Sequence, residues 1–270
     1  MGIFAPKPVP KIEFCEYVED FEGLPVFLSC NMSLASQFPA EKYDHCVKIN
    51  MEIYMKDYDN GLVSDAELSH IYTIESMLSQ HIEGVYAGRG IVCAKGYAFL
   101  MYYIPKKNAQ KASGIFSALL ESAFRHTETD ILYDPKGKEY FQFLYPDEYQ
   151  EKTIQTQNII KKLKRYGDDG IAPRDVKFSL NFTSKEAVLA FASEAFKNDF
   201  AYVDMVKESV AERVLPQIKL ILKVNMPFKA ELINKKIKYL MDLSEKFAGE
   251  YKSVETNIVN TPKNNTSQTY

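Results

Sequence analysis

The chain contains no tryptophan, and only four cysteines and four histidines among 270 residues. The histidines (His45, His70, His81 and His126) are scattered. His70 and His81 share an expected helix but lie roughly 16 Å apart along its axis, too far to act together. The cysteines (Cys15, Cys30, Cys46 and Cys93) form no C-x-x-C pair, and each falls in an apolar, strand-like run. A zinc site needs four converging Cys or His ligands, so buried, reduced thiols are expected and no metal or cofactor. The longest apolar run, YAFLMYYIP (Tyr97 to Pro105), is far too short to span a bilayer. The N-terminus, MGIFAPKPVPK, has no signal-peptide core, and Pro6 stands where a myristoylation motif wants Ser or Thr. The expectation is a cytoplasmic protein without a membrane partner.

What is present fits a folded domain: 46% hydrophobic, 26% charged, with 18 Tyr and 17 Phe to fill a core. Net charge is −3, but it is unevenly spread. Residues 1–150 hold 13 Lys+Arg against 21 Asp+Glu, net −8, and residues 151–270 hold 20 against 15, net +5. The break near residue 150 points to two units.

Hydrophobic periodicity gives both halves the same rhythm. In the second, a lead helix from Thr153 to Gly167 precedes DVKFSLNF, whose alternating Val176, Phe178, Leu180 and Phe182 make a half-buried strand. Thr183 and Glu186 are placed as a capping box for the next helix. Two strands follow, then a long helix expected to open at Asn225 and Pro227 and to run through Phe247, then a strand in EYKSVETNIV. The first half starts with an expected hairpin around Gly23 and continues with a strand from His45 to Met55. Its next helix has Ser64 and Glu67 as a capping box; two strands, a helix capped by Asn108 and a closing stretch from Thr129 follow. Each half therefore reads β-α-β-β-α-β. That order predicts an α+β fold of two tandem ferredoxin-like (βαββαβ) sandwiches, with antiparallel sheets and helices on one face. The expected boundaries are 1–150, 151–260 and a disordered tail at 261–270.

The chemical motifs are few. DYDNG (57–61) begins like a calcium loop, but Leu68 stands where a bidentate Glu is needed, so it reads as a turn. GRG (88–90) leads into a strand rather than a helix N-terminus, which favours a bulged strand over a phosphate loop. GDDGIAPRDV (167–176) sets Asp168 and Asp169 between two glycines. Asp and Gly form turns, Pro173 extends Ala172, and Arg174 is positioned to pair with either acid. This predicts a structural loop within a docking face rather than a metal or catalytic pair.

The segment LKRYGDDGIAPRDVKFSLNFTSKEAVLAFASEAF resembles the regulator of ribonuclease E activity B family, with its helix ending in Gly-Asp, its Pro-Arg, and its strand and capped helix. Here these are Gly167, Asp168, Pro173, Arg174 and the strand at Val176. GEYKSVETNIV resembles the family's closing segment, with Lys252 for its Asp and Val254 for its Trp. The resemblance spans about residues 150–260. The first half resembles the DUF 695 domain in Gly61-Leu62, Ile74-Glu75, YAFLMYYIP and DPKGKEYFQFLYP, with Gly137 where that family has Trp.

The resemblance implies a non-catalytic regulator that binds a protein partner, the scaffold region of a ribonuclease, and restrains RNA processing. The candidate docking residues are Asp168, Asp169, Pro173, Arg174, Glu250, Tyr251 and Glu255. Two rival readings are an enzyme or small-molecule binder using an interdomain cleft, and a weak RNA binder. Against RNA, no Lys/Arg-Gly-Phe-x-Phe strand signature is present, and the basic run KKLKR (161–165) reads as a solvated helix face. The sequence leaves the oligomeric state open.

Overall fold

The computed structural model describes residues 13–21, 24–38, 40–54, 63–122, 127–208 and 217–259. The DYDNG segment, His126 and the 261–270 tail lie outside them. The chain divides into two units, Met1–Pro146 and Asp147–Tyr270.

The first unit runs β1 (Phe14–Phe21), β2 (Leu24–Asn31), β3 (His45–Glu52), α1 (Asp65–His81), β4 (Val85–Val92), β5 (Tyr97–Ile104), α2 (Lys106–Ser122), β6 (Thr127–Tyr133) and α3 (Lys138–Phe143). Its antiparallel sheet has six strands, in the order β1-β2-β4-β5-β3-β6. The leading hairpin thus extends the sheet beyond the four strands of the expected plan. A register shift between Tyr86 and Gly88 makes the bulge expected at GRG. Gly88 has a φ of 148°, and a Cβ there would lie 2.0 Å from the Ser29 carbonyl oxygen.

One face of this sheet packs Val47, Ile49, Leu100, Tyr102 and Ile104 against Ile71, Ile74 and Leu78 of α1 and Phe116 of α2. The other face was expected to be free, and it is not. Tyr103 is fully buried there; Phe38 packs on its ring at 5.0 Å, and its hydroxyl donates to Asp134 at 2.6 Å. The Tyr140 hydroxyl of α3 donates to the Asn31 carbonyl at 2.9 Å. Lys48 reaches Glu139 at 2.9 Å and lies over the Phe143 ring. The cause is β5 itself: YAFLMYYI is apolar at every position, so both sides of the strand must leave water.

The second unit runs α4 (Glu148–Arg165), β7 (Arg174–Phe182), α5 (Lys185–Ala195), β8 (Ala201–Glu208), β9 (Gln217–Met226), α6 (Ala230–Lys246) and β10 (Gly249–Thr256). The antiparallel sheet order is β10-β7-β9-β8. Val176, Phe178, Leu180 and Phe182 of β7 and Ile218, Leu220, Leu222 and Val224 of β9 form a core with Val188 and Phe191 of α5 and Ile233, Ile237 and Leu240 of α6. Leu163 of α4 joins them, and α4 packs along α6. The opposite sheet face is polar. Lys223 pairs with Asp175 at 2.9 Å and Asn181 with Gln217 at 2.8 Å. Ile221 is half-buried among these polar neighbours.

Several helix starts differ from expectation. Helix α4 begins earlier, where Asp147 and Gln150 form a full capping box. Ser184, not Thr183, caps α5 by accepting from the Ala187 N–H. Ser64 caps α1 as expected, accepting from the Glu67 N–H at 3.2 Å, but a Glu67 carboxylate oxygen accepts from the Tyr54 N–H at 3.3 Å. Asn108 lies inside α2, with its amide donating to Glu83. Helix α6 starts at Ala230 because β9 continues through Met226 and the intervening residues turn the chain.

Candidate functional site

Helix α4 ends in a Schellman turn. Gly167 adopts a φ of 78°, its N–H meets the Lys164 carbonyl at 3.0 Å, and the Asp168 N–H meets the Leu163 carbonyl at 3.0 Å. This delivers Asp168 into the interior. Its side chain and that of Arg174 are almost wholly buried, at 0% and 2% exposure. One Arg174 nitrogen contacts Asp168 Oδ2, and the other donates to Oδ1 at 2.9 Å. The remaining carboxylate capacity is filled by backbone: the Gly170 N–H at 2.9 Å and the Val259 N–H at 2.8 Å. Arg174 also donates to the carbonyls of Ala172 at 3.0 Å and Asn257 at 3.3 Å. The guanidinium holds the Asp168 carboxyl well below the usual carboxylate range, against the opposing effect of burial.

Gly170 is fitted as closely. It has a φ of 73°, its carbonyl accepts from the Phe228 N–H at 2.9 Å, and a Cβ there would lie 2.7 Å from the Phe228 oxygen. Asp168, Arg174 and Gly170 therefore join four places: the end of α4, the start of β7, the β9–α6 connection and the exit from β10. With every oxygen occupied, the pair holds the fold together.

The outer side of the same loop is different. Asp169 faces solvent and only turns the backbone, accepting from the Ile171 N–H at 2.9 Å. Pro173 is exposed, Ile171 is 56% exposed and Tyr166 60%. Ile258 is exposed in the 257–259 segment that the ion pair secures. Tyr166 also borders a depression lined by Asn158, Lys161, Lys162 and Arg165, the basic end of α4. An apolar and a cationic patch thus adjoin on a rigid turn.

The candidate docking residues divide accordingly. Asp169, Pro173, Glu250 and Glu255 are exposed. Asp168, Arg174 and Tyr251 are buried and cannot meet a partner: the first two neutralise each other, and Tyr251 is an inward residue of β10, 2% exposed. Burial pushes the Tyr251 hydroxyl up. Glu255 lies across from Lys177, and Glu250 across from Asn181 at the far end of β7, away from the loop. Alternation in the sequence had no means of flagging Tyr166, Ile171 and Ile258, whose exposure follows from the Schellman turn and the buried pair.

The polar clusters of the first unit are internal supports. Arg89 donates to both oxygens of Glu75 at 3.1 Å, to Glu16 at 3.1 Å and to the Tyr72 hydroxyl at 3.2 Å. Tyr86 donates to Glu75 at 2.6 Å, and burial raises its hydroxyl well above the ordinary value. Asp134 accepts from the N–H groups of Lys138 and Glu139 as well as from Tyr103. Among the described residues, no three His, Cys, Asp or Glu side chains are placed to hold a metal ion.

Residues 15–145 match DUF695, a family of unknown function. Residues 153–256 match the family Regulator of ribonuclease activity B. The two matches fall on the two units in the order that the sequence motifs implied. No curated protein matches the chain. Several solved structures resemble it, and two of them do so at low TM-score. One is an unknown protein from Galdieria sulphuraria, 12% identical over 81% of this chain and 100% of that one, with a TM-score of 0.25. The other is a putative glycine cleavage system transcriptional repressor, 8% identical over 79% of this chain and 98% of that one, with a TM-score of 0.24.

Proposed function

We propose that this protein is a non-catalytic, cytoplasmic regulator that binds a ribonuclease and alters its action on RNA. The observation that carries this reading is the match of residues 153–256 to a family of ribonuclease regulators. The docking surface is the outer side of the 168–174 loop with the basic end of α4: Tyr166, Asp169, Ile171 and Pro173 beside Lys161, Lys162 and Arg165. A partner segment carrying acidic residues around one or two apolar side chains suits it, since the cationic patch steers the encounter and the apolar residues supply the desolvated contact. The surplus of positive charge after residue 150 favours such a partner.

We read both units as elaborations of the ferredoxin-like plan, with domain limits near 150 and 260. In support, β7 to β10 are ordered β10-β7-β9-β8, and β3 to β6 repeat that arrangement as β4-β5-β3-β6. The first unit adds a hairpin at one edge and a second covering layer.

The test is cleavage of a defined RNA by the ribonuclease of the same cell, with and without this protein. The rate is expected to change with a saturable dependence on its concentration, while the protein alone cleaves nothing. Ile171→Asp and Lys162→Glu should abolish the effect without lowering the unfolding midpoint. An unchanged cleavage rate at every concentration would contradict the proposal.

A further inference from the structure

The hairpin of β1 and β2 brings together two thiols that are fifteen positions apart in the chain. Cys15 and Cys30 are directly opposite each other, and both point to the face covered by α3. The Cys30 S–H donates to the Tyr140 hydroxyl at 3.5 Å, and that hydroxyl donates on to the Asn31 carbonyl. Cys30 is fully buried, whereas Cys15, on the edge strand, is half-buried. The two differ in reach and in chemistry: an oxidant can approach one, and the other waits behind it.

We propose that Cys15 and Cys30 are a redox modification site that closes a reversible disulfide within the β1–β2 hairpin. The oxidant is a peroxide. The Cys15 thiolate attacks one peroxide oxygen, the O–O bond breaks, and the departing hydroxide takes up a proton as water. Cys15 is then a sulfenic acid. The Cys30 sulfur attacks the Cys15 sulfur, the S–S bond forms, the S–O bond breaks, and a second water leaves. Two thiols and one hydrogen peroxide thus give one disulfide and two waters. A small reductant thiol reverses the step by exchange.

Geometry supports this reaction. The Met32 N–H meets the Glu13 carbonyl at 2.8 Å, so residues 13 and 32 form a hydrogen-bonded pair. Alternation along the ladder makes Cys15 and Cys30 another, and such pairs place Cα atoms about 5.5 Å apart, inside the span a disulfide accepts. Cβ atoms in opposed pairs sit about 4.5–5.5 Å apart, so closure needs the strands to pinch by about an ångström. Among the described residues β1 is an edge strand paired with β2 alone, and Cys30 faces Gly88, which has no side chain, on its other flank. Both features permit the movement. The residual strain makes the bond easily reduced, as a switch requires rather than a permanent staple. The opposed Cys30 thiol, with the Cys30 backbone, lowers the Cys15 thiol below its ordinary value against the effect of burial, which favours the attacking thiolate. Cys46 and Cys93 serve as internal comparisons. Both are buried, the cross-strand neighbours of Cys46 are Tyr103 and Leu132, and burial pushes its thiol up to about 12.

The experiment is titration of the full chain with hydrogen peroxide, followed by alkylation and peptide mapping. The expected result is a single intramolecular link joining the Cys15 and Cys30 peptides, reversed by glutathione, with Cys46 and Cys93 still alkylated after unfolding. In Cys30→Ser, Cys15 should accumulate as a sulfenic acid trapped by dimedone; in Cys15→Ser, Cys30 should stay reduced. The wild-type mapping stands even if a variant fails to fold. Oxidation of Cys46 or Cys93 at an equal rate, a link only between two chains, or a free Cys15 after peroxide is consumed would each overturn the proposal.

Discussion

Arg174 and Asp168 face each other as a two-point ion pair inside the second unit, with side-chain exposures of 2% and 0%. Two backbone N–H groups complete the carboxylate and two carbonyls complete the guanidinium. Removing one partner leaves an uncompensated buried charge. Asp168→Ala is expected to lower unfolding stability by about 3–5 kcal/mol. Replacing both residues together, Asp168→Leu with Arg174→Met, should cost less than the single change. Urea denaturation of the three proteins at neutral pH checks this; equal losses would mean that the pair's charges are not what the site depends on.

The same pair predicts an acid response. The folded-state carboxyl of Asp168 titrates below its ordinary value of 3.8. A depressed carboxyl contributes stability that is fully present above its unfolded-state pKa. It is lost as pH falls from about 3.8 through the lower folded value. The stability difference between wild type and Asp168→Asn should therefore be constant above pH about 5 and shrink below about 4. Denaturant midpoints across that range give the answer, and a gap that widens on acidification would reverse the assigned sign.

Asp134 organises the covered far face of the first sheet. Its carboxylate accepts from two N–H groups at the start of α3 and from the buried Tyr103 hydroxyl. Asp134→Ala removes a helix cap and strands a buried donor, an expected loss of about 2–4 kcal/mol. Tyr103→Phe in the same background removes the stranded hydroxyl but also the acceptor of the buried Tyr140 N–H at 3.3 Å, so the double variant should be no more stable than Asp134→Ala. A calorimetric comparison of the two variants tests this; a clear recovery would mean that the Tyr140 N–H does not depend on the Tyr103 hydroxyl.

How much of this was legible beforehand depends on how local the cause was. Alternation in DVKFSLNF fixed which side of β7 meets the helices, and the GDDG turn with its following Arg was read as a pinned loop. Burial of the ion pair in that loop was not legible, since Val259, whose N–H completes the Asp168 carboxylate, lies 91 residues away, and Phe228, whose N–H meets the Gly170 carbonyl, belongs to the β9–α6 connection. Similarly, YAFLMYYI announced a strand but also, through its unbroken apolarity, a sheet covered twice. That second message was missed because the covering residues, Phe38 and Tyr140, sit in segments without periodicity. The Cys15–Cys30 pairing follows from strand register, with Phe21 opposite Leu24. Helix starts erred where two capping residues stood side by side, as at Thr183 and Ser184, or where a strand ran on into the expected first turn, as at Met226.

The most direct test of the regulatory account is the rate at which the cell's own ribonuclease cleaves a defined RNA while the full-length protein is titrated in at physiological salt. The account predicts a saturable change in rate that disappears in Ile171→Asp and Lys162→Glu proteins of unchanged melting temperature, and no cleavage by the protein alone. A rate indifferent to the protein, or RNA cut in the absence of the ribonuclease, would contradict it.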